Sequence, residues 1–439
     1  MSLFGAMNTA ISGLGAQSQA FGNISDNVAN SQTAGFKRVD TTFMSLLTTS
    51  TLRANEPGAV VARPDYVNTV QGTITQSDNP LGLAVAGQGF FAVSQQTGAV
   101  NNIPTFNPQQ FYTRAGDFQL NKTGFLVNSA GLYLNGWAVD PSTNDANQNT
   151  LEPIQVADTV FNPVPSSEVV LSANLPATPA PDTATAEFPI VSNIDVYDSL
   201  GTVHSIALSW VKTAESTWSV SISAADAATT DLGAATVTFG SASGNDVAEG
   251  TIGAITDASG TVTTDGYVAD EAAMITFVAQ FGAETQTISL NVGIYGQTGG
   301  VTQYAGTAYN LRGLTQNGVP PGSFSGVTTQ ANGNIVVNYD NGQSRIIAQV
   351  PLITFNNADA LQRQNGQAFT ATLDSGTPLA NPAGTNGSGG LVTSAVEGSN
   401  VDIAAEFSKL IVAQRAYSAN TKVVTTADDL LQQTIDMKR

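Results

Sequence analysis

The sequence predicts a mainly β protein with long terminal α-helices, in which nested β domains are inserted between an N-terminal and a C-terminal helix that pair as a coiled-coil-like rod. Three observations carry that expectation. Apolar residues recur at spacings of three and four at both ends of the chain. The sequence between consists of short runs of Val, Thr, Phe and Tyr cut by Gly, Asn, Asp and Pro, which are strand and turn signals. The acidic charge is concentrated in the middle.

The first thirty residues read as one helix whose seam is Leu3, Met7, Ala10, Leu14, Gln17, Phe21, Ile24 and Val28. Gly13, Gly15 and Gly22 each lower helix propensity by about 1 kcal/mol relative to Ala, so this helix depends on packing against partners. Asn23, Asn27 and Asn30 share one helix face. They serve either as a polar face fraying into a cap or as amide hydrogen-bonding groups directed at neighbouring helices.

The connector from about Lys37 to Gln71 carries Pro57-Gly58 and Arg63-Pro64, which predict extended or turned chain in place of regular structure. Leu83 to Val85 and Phe90 to Val93 read as strands around Gly87-Gln88-Gly89. A phosphate cradle would need a helix to start after those glycines, and a strand follows instead. The proline-rich segment from Val164 to Pro181 reads as a linker with an edge strand. Ile335 to Tyr339 and Arg345 to Val350, joined through Asp340-Asn341-Gly342, read as a hairpin. Asn381 to Gly390 reads as a flexible exit before the last helix.

In the last forty residues Ile403, Leu410, Tyr417, Val424 and Leu431 recur every seventh position, beside a column of Phe407, Gln414, Thr421, Asp428 and Ile435 that is polar at its centre. Ser399 or Asn400 is the expected N-cap, with Asp402 completing a capping box. A helix of about 37 residues would be roughly 55 Å long, a rod that packs against other rods.

The 439 residues include 34 acidic and 15 basic side chains, for a net charge of -19, with one histidine and no cysteine. Residues 123–311 hold 19 of the acids and a single basic residue, Lys212. The middle therefore carries nearly all the net charge. Expected domains are 1–36 with 399–439 (helical), 37–72 (extended connector), 73–150 with 313–398 (middle β) and 151–312 (acidic inserted β).

This composition excludes disulfides, thiol catalysis, Cys-based metal sites and any site needing two imidazoles. Strong negative charge disfavours nucleic acid and anionic lipid, and no apolar run is long enough to span a bilayer. The first basic residue is Lys37, so MSLFGAMNTAISGLG is not expected to be a secretory signal. His204, in a turn after Asp198-Ser199-Leu200-Gly201, reads as a structural hydrogen-bonding residue. No catalytic residue, metal ligand or cofactor is expected. A pair of carboxylates placed by the fold would leave a secreted carbohydrate-active enzyme as a remote alternative.

Thr9-Ala10-Ile11-Ser12-Gly13-Leu14, followed by Asn23-Ile24-Ser25-Asp26-Asn27-Val28-Ala29-Asn30 and Gly35-Phe36-Lys37, resembles the amino-terminal signature of bacterial flagellar rod, hook and hook-associated proteins. Glu397-Gly398-Ser399-Asn400-Val401-Asp402, Ala413-Gln414-Arg415-Ala416-Tyr417 and Ala419-Asn420 are similar to the same family's carboxyl-terminal helix. The stretch from Val196 through Asp198 and Gly201 to His204 resembles the inserted outer domain of hook proteins, and chain length favours hook over rod.

The resemblance implies a non-enzymatic subunit that polymerises with many copies of itself into a hollow, flexible hook acting as a universal joint. The implied partners are the rod below, hook-associated junction proteins above, a hook cap during assembly and the flagellar type III export apparatus. A distal rod or junction protein is the alternative. The polar columns around Gln17, Gln414 and Thr421 would tolerate sliding or face the export channel.

Overall fold

The computed structural model describes residues 3–50, 55–100, 103–140, 143–156 and 160–437. The chain is mostly β with two helices, α1 (Leu3–Ala29) and α2 (Ile403–Asp436), which pack together. At 1.5 Å per residue the 34 residues of α2 extend about 51 Å. The chain divides into two compact units: Met1–Asp158 with Ser325–Asn338 and Ser344–Arg439, and Thr159–Phe324 with Tyr339–Gln343.

In the first unit the connector is regular structure. Strands β1 (Val39–Ser50) and β2 (Asn55–Tyr66) form an antiparallel ribbon running from Val39 opposite Tyr66 to Ser50 opposite Asn55. The prolines misled the sequence reading because a two-stranded ribbon has no central strand, so Pro64, opposite Thr41, can turn its missing donor outward. Residues 51–54 lie outside the described set. Both strands pack on α1.

A larger sheet follows, its path running Phe324–Thr329, Asn334–Tyr339, Ser344–Gln349, Leu132–Ala138, Phe90–Val100, Phe111–Thr113, Ala368–Thr370 and Gln362–Gln364. The Asp340-Asn341-Gly342 turn forms as predicted, with Gly342 at φ +80°. Leu83–Ala86 pairs with Gly390–Thr393 and Ile74–Gln76 with Ala395–Glu397, so the chain returning to α2 is stitched to the chain leaving α1.

The Asn381 to Gly390 segment is a closed turn and not a loose exit. The Gly384 amide donates to Gly389 O at 2.8 Å, the Gly389 amide to Gln88 O at 2.6 Å and the Ser388 hydroxyl to Pro382 O at 2.8 Å. Small polar residues that look disordered by composition are here satisfying local backbone groups.

The second unit has two sheets around one core. Ile190–Tyr197, Val203–Ala214, Thr217–Ala224, Asp231–Phe239 and Ile252–Asp257 form a five-stranded antiparallel meander. In the other sheet Glu168–Pro176 sits inside, parallel to Glu284–Ile294 and Thr302–Tyr304 and antiparallel to Asn310–Gln316. The expected edge strand is thus internal: Pro165 precedes its ladder and Pro176 ends it.

Strict alternation buries Trp218, Val220, Ile222 and Ala224 from one strand, and these join Trp210, Phe277, Leu290 and Leu171 in a single cluster. One shared core makes this unit a single domain. Glu152–Pro153 pairs with Leu132–Ala138 and goes with the first unit, which runs on to Asp158, whereas the expected insert begins at 151.

Candidate assembly interface

The helices meet through small and polar side chains. On α1 the buried line is Ala10, Gly13, Ala16, Ala20, Ile24 and Asn27. Met7, Leu14, Phe21 and Val28 of the predicted seam are half-buried beside it, and the Leu3 side chain lies outside the described set. On α2 the buried residues are Glu406, Ala413 and Ala427, with Leu410, Asn420 and Val424 half-buried between them and Leu431 half-buried beyond.

The remaining predicted positions of α2 face outward: Ile403 and Tyr417 are more than one-third exposed, Phe407 is 51% exposed, and Gln414, Arg415 and Thr421 are exposed. The seam therefore lies one step around each helix from the bulky columns. Small residues permit close helix approach, and the bulky ones are left at the rim. Phe21 still meets Tyr417 edge to face, with ring centroids 6.2 Å apart.

Asn27 is the polar centre of the pairing. Its amide nitrogen donates to Val39 O at 2.9 Å and Glu406 Oε2 at 3.1 Å, and its oxygen accepts from the Val39 amide at 2.9 Å. Asn23 donates to Thr41 Oγ1 at 2.8 Å, whereas Asn30 turns back to Asp26 O at 2.9 Å. Two asparagines thus fix β1 to the helix and the third frays into a cap. Glu406 is held further by Lys409 Nζ at 2.7 Å, which also reaches Asp40. Burial alone would lower the Lys409 pKa, but the hydrogen bonds to Asp40 and Glu406 outweigh it and raise it.

The N-cap of α2 is Asp402, not Ser399 or Asn400. Its carboxylate accepts from the Ala404 amide at 2.9 Å and the Ala405 amide at 3.2 Å. Asn400 is engaged elsewhere, accepting from the Arg38 amide at 2.7 Å and donating to Val67 O and Val70 O.

Around Asn400 the two terminal motifs converge on a buried charge cluster. Lys37 Nζ lies 2.6 Å from Glu397 Oε1 and 2.7 Å from Val70 O. Arg114 Nη1 lies 3.0 Å from Glu397 Oε2, and its Nη2 donates to Gly87 O at 2.8 Å. The Gly72 amide adds a bond of 2.8 Å to Glu397 Oε1. Burial pulls the Lys37 pKa down, opposed by Glu397 and assisted by Arg114; burial likewise lowers that of Arg114, against Glu397. Phe36 is covered by the Arg363 guanidinium at 4.8 Å. Gly35 adopts φ +68°, where a Cβ would sit 2.3 Å from the Ala115 amide nitrogen.

The sequence reading missed Arg114, Glu406 and Lys409. Glu406 and Lys409 lie beside the columns of Ile403 and Phe407 and not in them, so hydrophobic spacing carries no signal for either.

In the second unit, Asp198, Gly201 and His204 form a built turn. Asp198 Oδ1 accepts from the Leu200 and Thr202 amides at 2.9 and 2.6 Å, and Gly201 takes φ +81°. His204 stacks on Phe281 with centroids 3.8 Å apart, its Nδ1 2.5 Å from Asp226 Oδ2 and its Nε2 3.4 Å from Asp198 Oδ2. Ser199, in the same turn, donates its hydroxyl to a Glu284 carboxylate oxygen. Among the described residues there is no grouping of three or more His, Asp or Glu able to hold a metal, and no helix is long and apolar enough to cross a membrane.

Four family models match along the chain. They are a flagella basal body rod protein model over residues 7–37, the flagellar hook protein FlgE/F/G D1 domain over 84–164, the flagellar basal body protein FlaE D2 domain over 167–319, and the flagellar basal body rod FlgEFG protein C-terminal model over 392–437. The flagellar hook protein FlgE of Brucella abortus is 30% identical over 442 residues, covering 100% of both chains. That of Escherichia coli is 29% identical over 441 residues, covering 99% of this chain and 100% of the relative. The crystal structure of Helicobacter pylori flagellar hook protein FlgE2 matches with a TM-score of 0.46 and 15% identity over 72% of this chain and 98% of that one. With family models on both terminal helices, the D1 region and the insert, and a relative 30% identical across the whole of both chains, the chain belongs to the flagellar hook protein FlgE family.

Proposed function

We propose that this protein is the structural subunit of the bacterial flagellar hook, polymerising into a hollow, flexible helical tube that transmits motor torque to the filament. The observation that carries the reading is its end-to-end similarity to hook proteins, which includes the D2-type insert at 167–319. The large apolar side chains left exposed on α2 and β1, among them Phe407, Val412, Ile435, Phe43 and Leu47, support it, since a terminal rod with so much uncovered apolar surface needs neighbours. No catalytic step is part of the role.

In this reading, residues 1–36 with 399–439 form the inner axial layer. The β1–β2 ribbon and the buried Lys37, Arg114 and Glu397 cluster tie the middle β domain to it. Copies of the chain contact the rod below, junction proteins above and a cap during growth. Export runs through the flagellar type III apparatus, without a cleaved signal. Near-absence of cations in the insert leaves contacts between inserts weak and hydrated, which suits surfaces that slide during bending.

Electron microscopy of polymer grown from the purified chain tests this. Curved hollow tubes, together with loss of the curved hook in cells lacking the chain, are expected. Straight rods only, or short caps on filaments, would favour a distal rod or junction protein.

A further inference from the structure

Asn is followed by Gly six times in the chain, at Asn135, Asn317, Asn332, Asn341, Asn365 and Asn386. In such a pair the Gly amide nitrogen can reach the Asn side-chain carbonyl carbon, because no Cβ on the second residue blocks the approach. Sequence makes the six equivalent, and the fold separates them.

Five are tied at the Asn, at the Gly or at both. Asn135 is 1% exposed, and its side chain donates to Ser94 Oγ at 2.9 Å. Asn317 accepts from the Ser167 and Glu168 amides at 2.9 and 3.0 Å, and the Gly318 amide donates to Gln316 Oε1. Asn332 accepts from the Asn334 amide at 3.1 Å while the Gly333 amide donates to Gln330 O at 2.9 Å. Asn341 donates to Pro320 O at 2.9 Å, and the Gly342 amide to Tyr339 O at 3.2 Å. Asn386, within the closed turn before α2, donates to Asn381 Oδ1 at 3.1 Å.

The Asn365-Gly366 pair is free in both groups. Asn365 is exposed, in the turn that joins Gln362–Gln364 to Ala368–Thr370. Among the described residues its side chain makes no hydrogen bond, and neither does the Gly366 amide. Gln362–Gln364 ends the path of the large sheet, and edge elements of this kind open at low free energy.

We infer that Asn365 is a site of spontaneous deamidation. The Gly366 nitrogen gives up its proton to solvent and bonds to Asn365 Cγ; the Cγ–Nδ2 bond breaks and the side-chain nitrogen leaves as ammonia, closing a cyclic imide. Water then opens the ring at either carbonyl, leaving aspartate or isoaspartate at 365. One water is consumed and one ammonia released, with no oxidant or reductant.

Both products add an anion. Isoaspartate also routes the main chain through an extra methylene inside a short turn, which disturbs the closing pair of Gln364 with Ala368. The neighbouring residue Arg363 lies over the Phe36 ring at 4.8 Å and donates to Lys37 O. Conversion at Asn365 therefore loosens the hold of this hairpin on the chain leaving α1. The chemistry is independent of the hook reading.

The purified full chain, aged in mildly alkaline buffer and mapped by mass spectrometry with fragment-ion localisation, tests this against the same chain aged in urea. In the folded chain Asn365 should convert at least about five-fold faster than any of the other five, roughly the factor that one retained hydrogen bond supplies. In urea the six rates should draw level. Isoaspartyl methyltransferase should label aged wild type strongly and an equally aged Asn365→Gln chain weakly; the substituted position is exposed and unbonded, so this variant should fold as wild type does. Hydrogen exchange at Phe36 and Arg363 should rise with age in wild type and stay constant in the variant. A different leading site, or six level rates in the folded chain, would overturn the inference. Exchange that stays constant in converted wild type would overturn the loosening.

Discussion

Lys37 and Glu397, 360 positions apart in sequence, meet at 2.6 Å with neither side chain exposed to solvent. Arg114 completes the cluster from the other carboxylate oxygen, so one buried anion holds two buried cations. Removing one partner of a buried pair costs about 3–5 kcal/mol because the survivor is left desolvated and unpaired.

The order of effects follows from the count. Glu397→Gln strands two cations and should be the most destabilising of the three single neutralisations. Lys37→Met leaves Glu397 paired with Arg114 and should cost less. Urea unfolding of the monomer measures both; equal midpoints would show that Lys37 and Arg114 are not sharing one carboxylate.

At the helix pair, a Cβ built on Gly13 would fall 2.9 Å from Asn420 Nδ2. That atom ends a short, movable side chain, and Ala gains about 1 kcal/mol of helix propensity over Gly. Gly13→Ala should therefore be near neutral, while Gly13→Leu should force the helices apart at about 1–3 kcal/mol. Thermal unfolding followed by the helical circular dichroism signal separates the two. A Gly13→Leu chain as stable as wild type would mean that α1 and α2 need no close approach.

For the α2 start, Asp402→Ala should cost about 1 kcal/mol through loss of the cap, whereas Ser399→Ala should be close to silent, since the Ser399 hydroxyl accepts only a 3.3 Å bond from the Val401 amide. Asn400→Ala should also destabilise, by roughly 1–3 kcal/mol, because it strands the Arg38 amide. The Asn400 loss should appear in hydrogen exchange at Arg38, and the Asp402 loss at Ala404 and Ala405.

Helix existence, strand-rich character and the isolation of charge in the insert were legible because each rests on local periodicity or composition. The buried face of α1 was only half legible. Hydrophobic spacing picks out Leu14 and Phe21, but interhelical distance is set by Gly13, Ala16 and Ala20, which carry little hydropathy signal. The β1–β2 ribbon was hidden by prolines that are harmless on a two-stranded ribbon. The buried charge cluster was illegible in principle: Lys37, Arg114 and Glu397 become a unit only through the pairing of Ile74–Gln76 with Ala395–Glu397. Glu397 and Lys37 lie inside the two terminal motifs, which carry no sign that they touch.

The last prediction concerns pH and the insert. Burial tends to raise the Asp198 pKa, but hydrogen bonds from Thr202, His204 and Leu200 outweigh it, leaving the group below its ordinary value. Glu249 is lowered by its bonds from Ser241; Asp257, despite desolvation, by those from Ser259 and Gly260. A depressed folded-state pKa contributes stability that is present above the unfolded value, near pH 4, and is lost as pH falls through the folded value. Between neutrality and that point, protonation of other exposed carboxylates relieves repulsion in a unit with almost no cations, and this works in the opposite direction. The insert should hold or gain stability as pH falls toward about 4 and lose it steeply below. Asp198→Asn should flatten the acid limb, because the amide oxygen can still accept from Leu200 and Thr202 yet no longer takes up a proton. Fluorescence of Trp210 and Trp218 in a Trp137→Phe background, followed through thermal unfolding at a series of pH values, reads this unit within the full chain. An acid limb equally steep in wild type and in Asp198→Asn would remove Asp198 from the account.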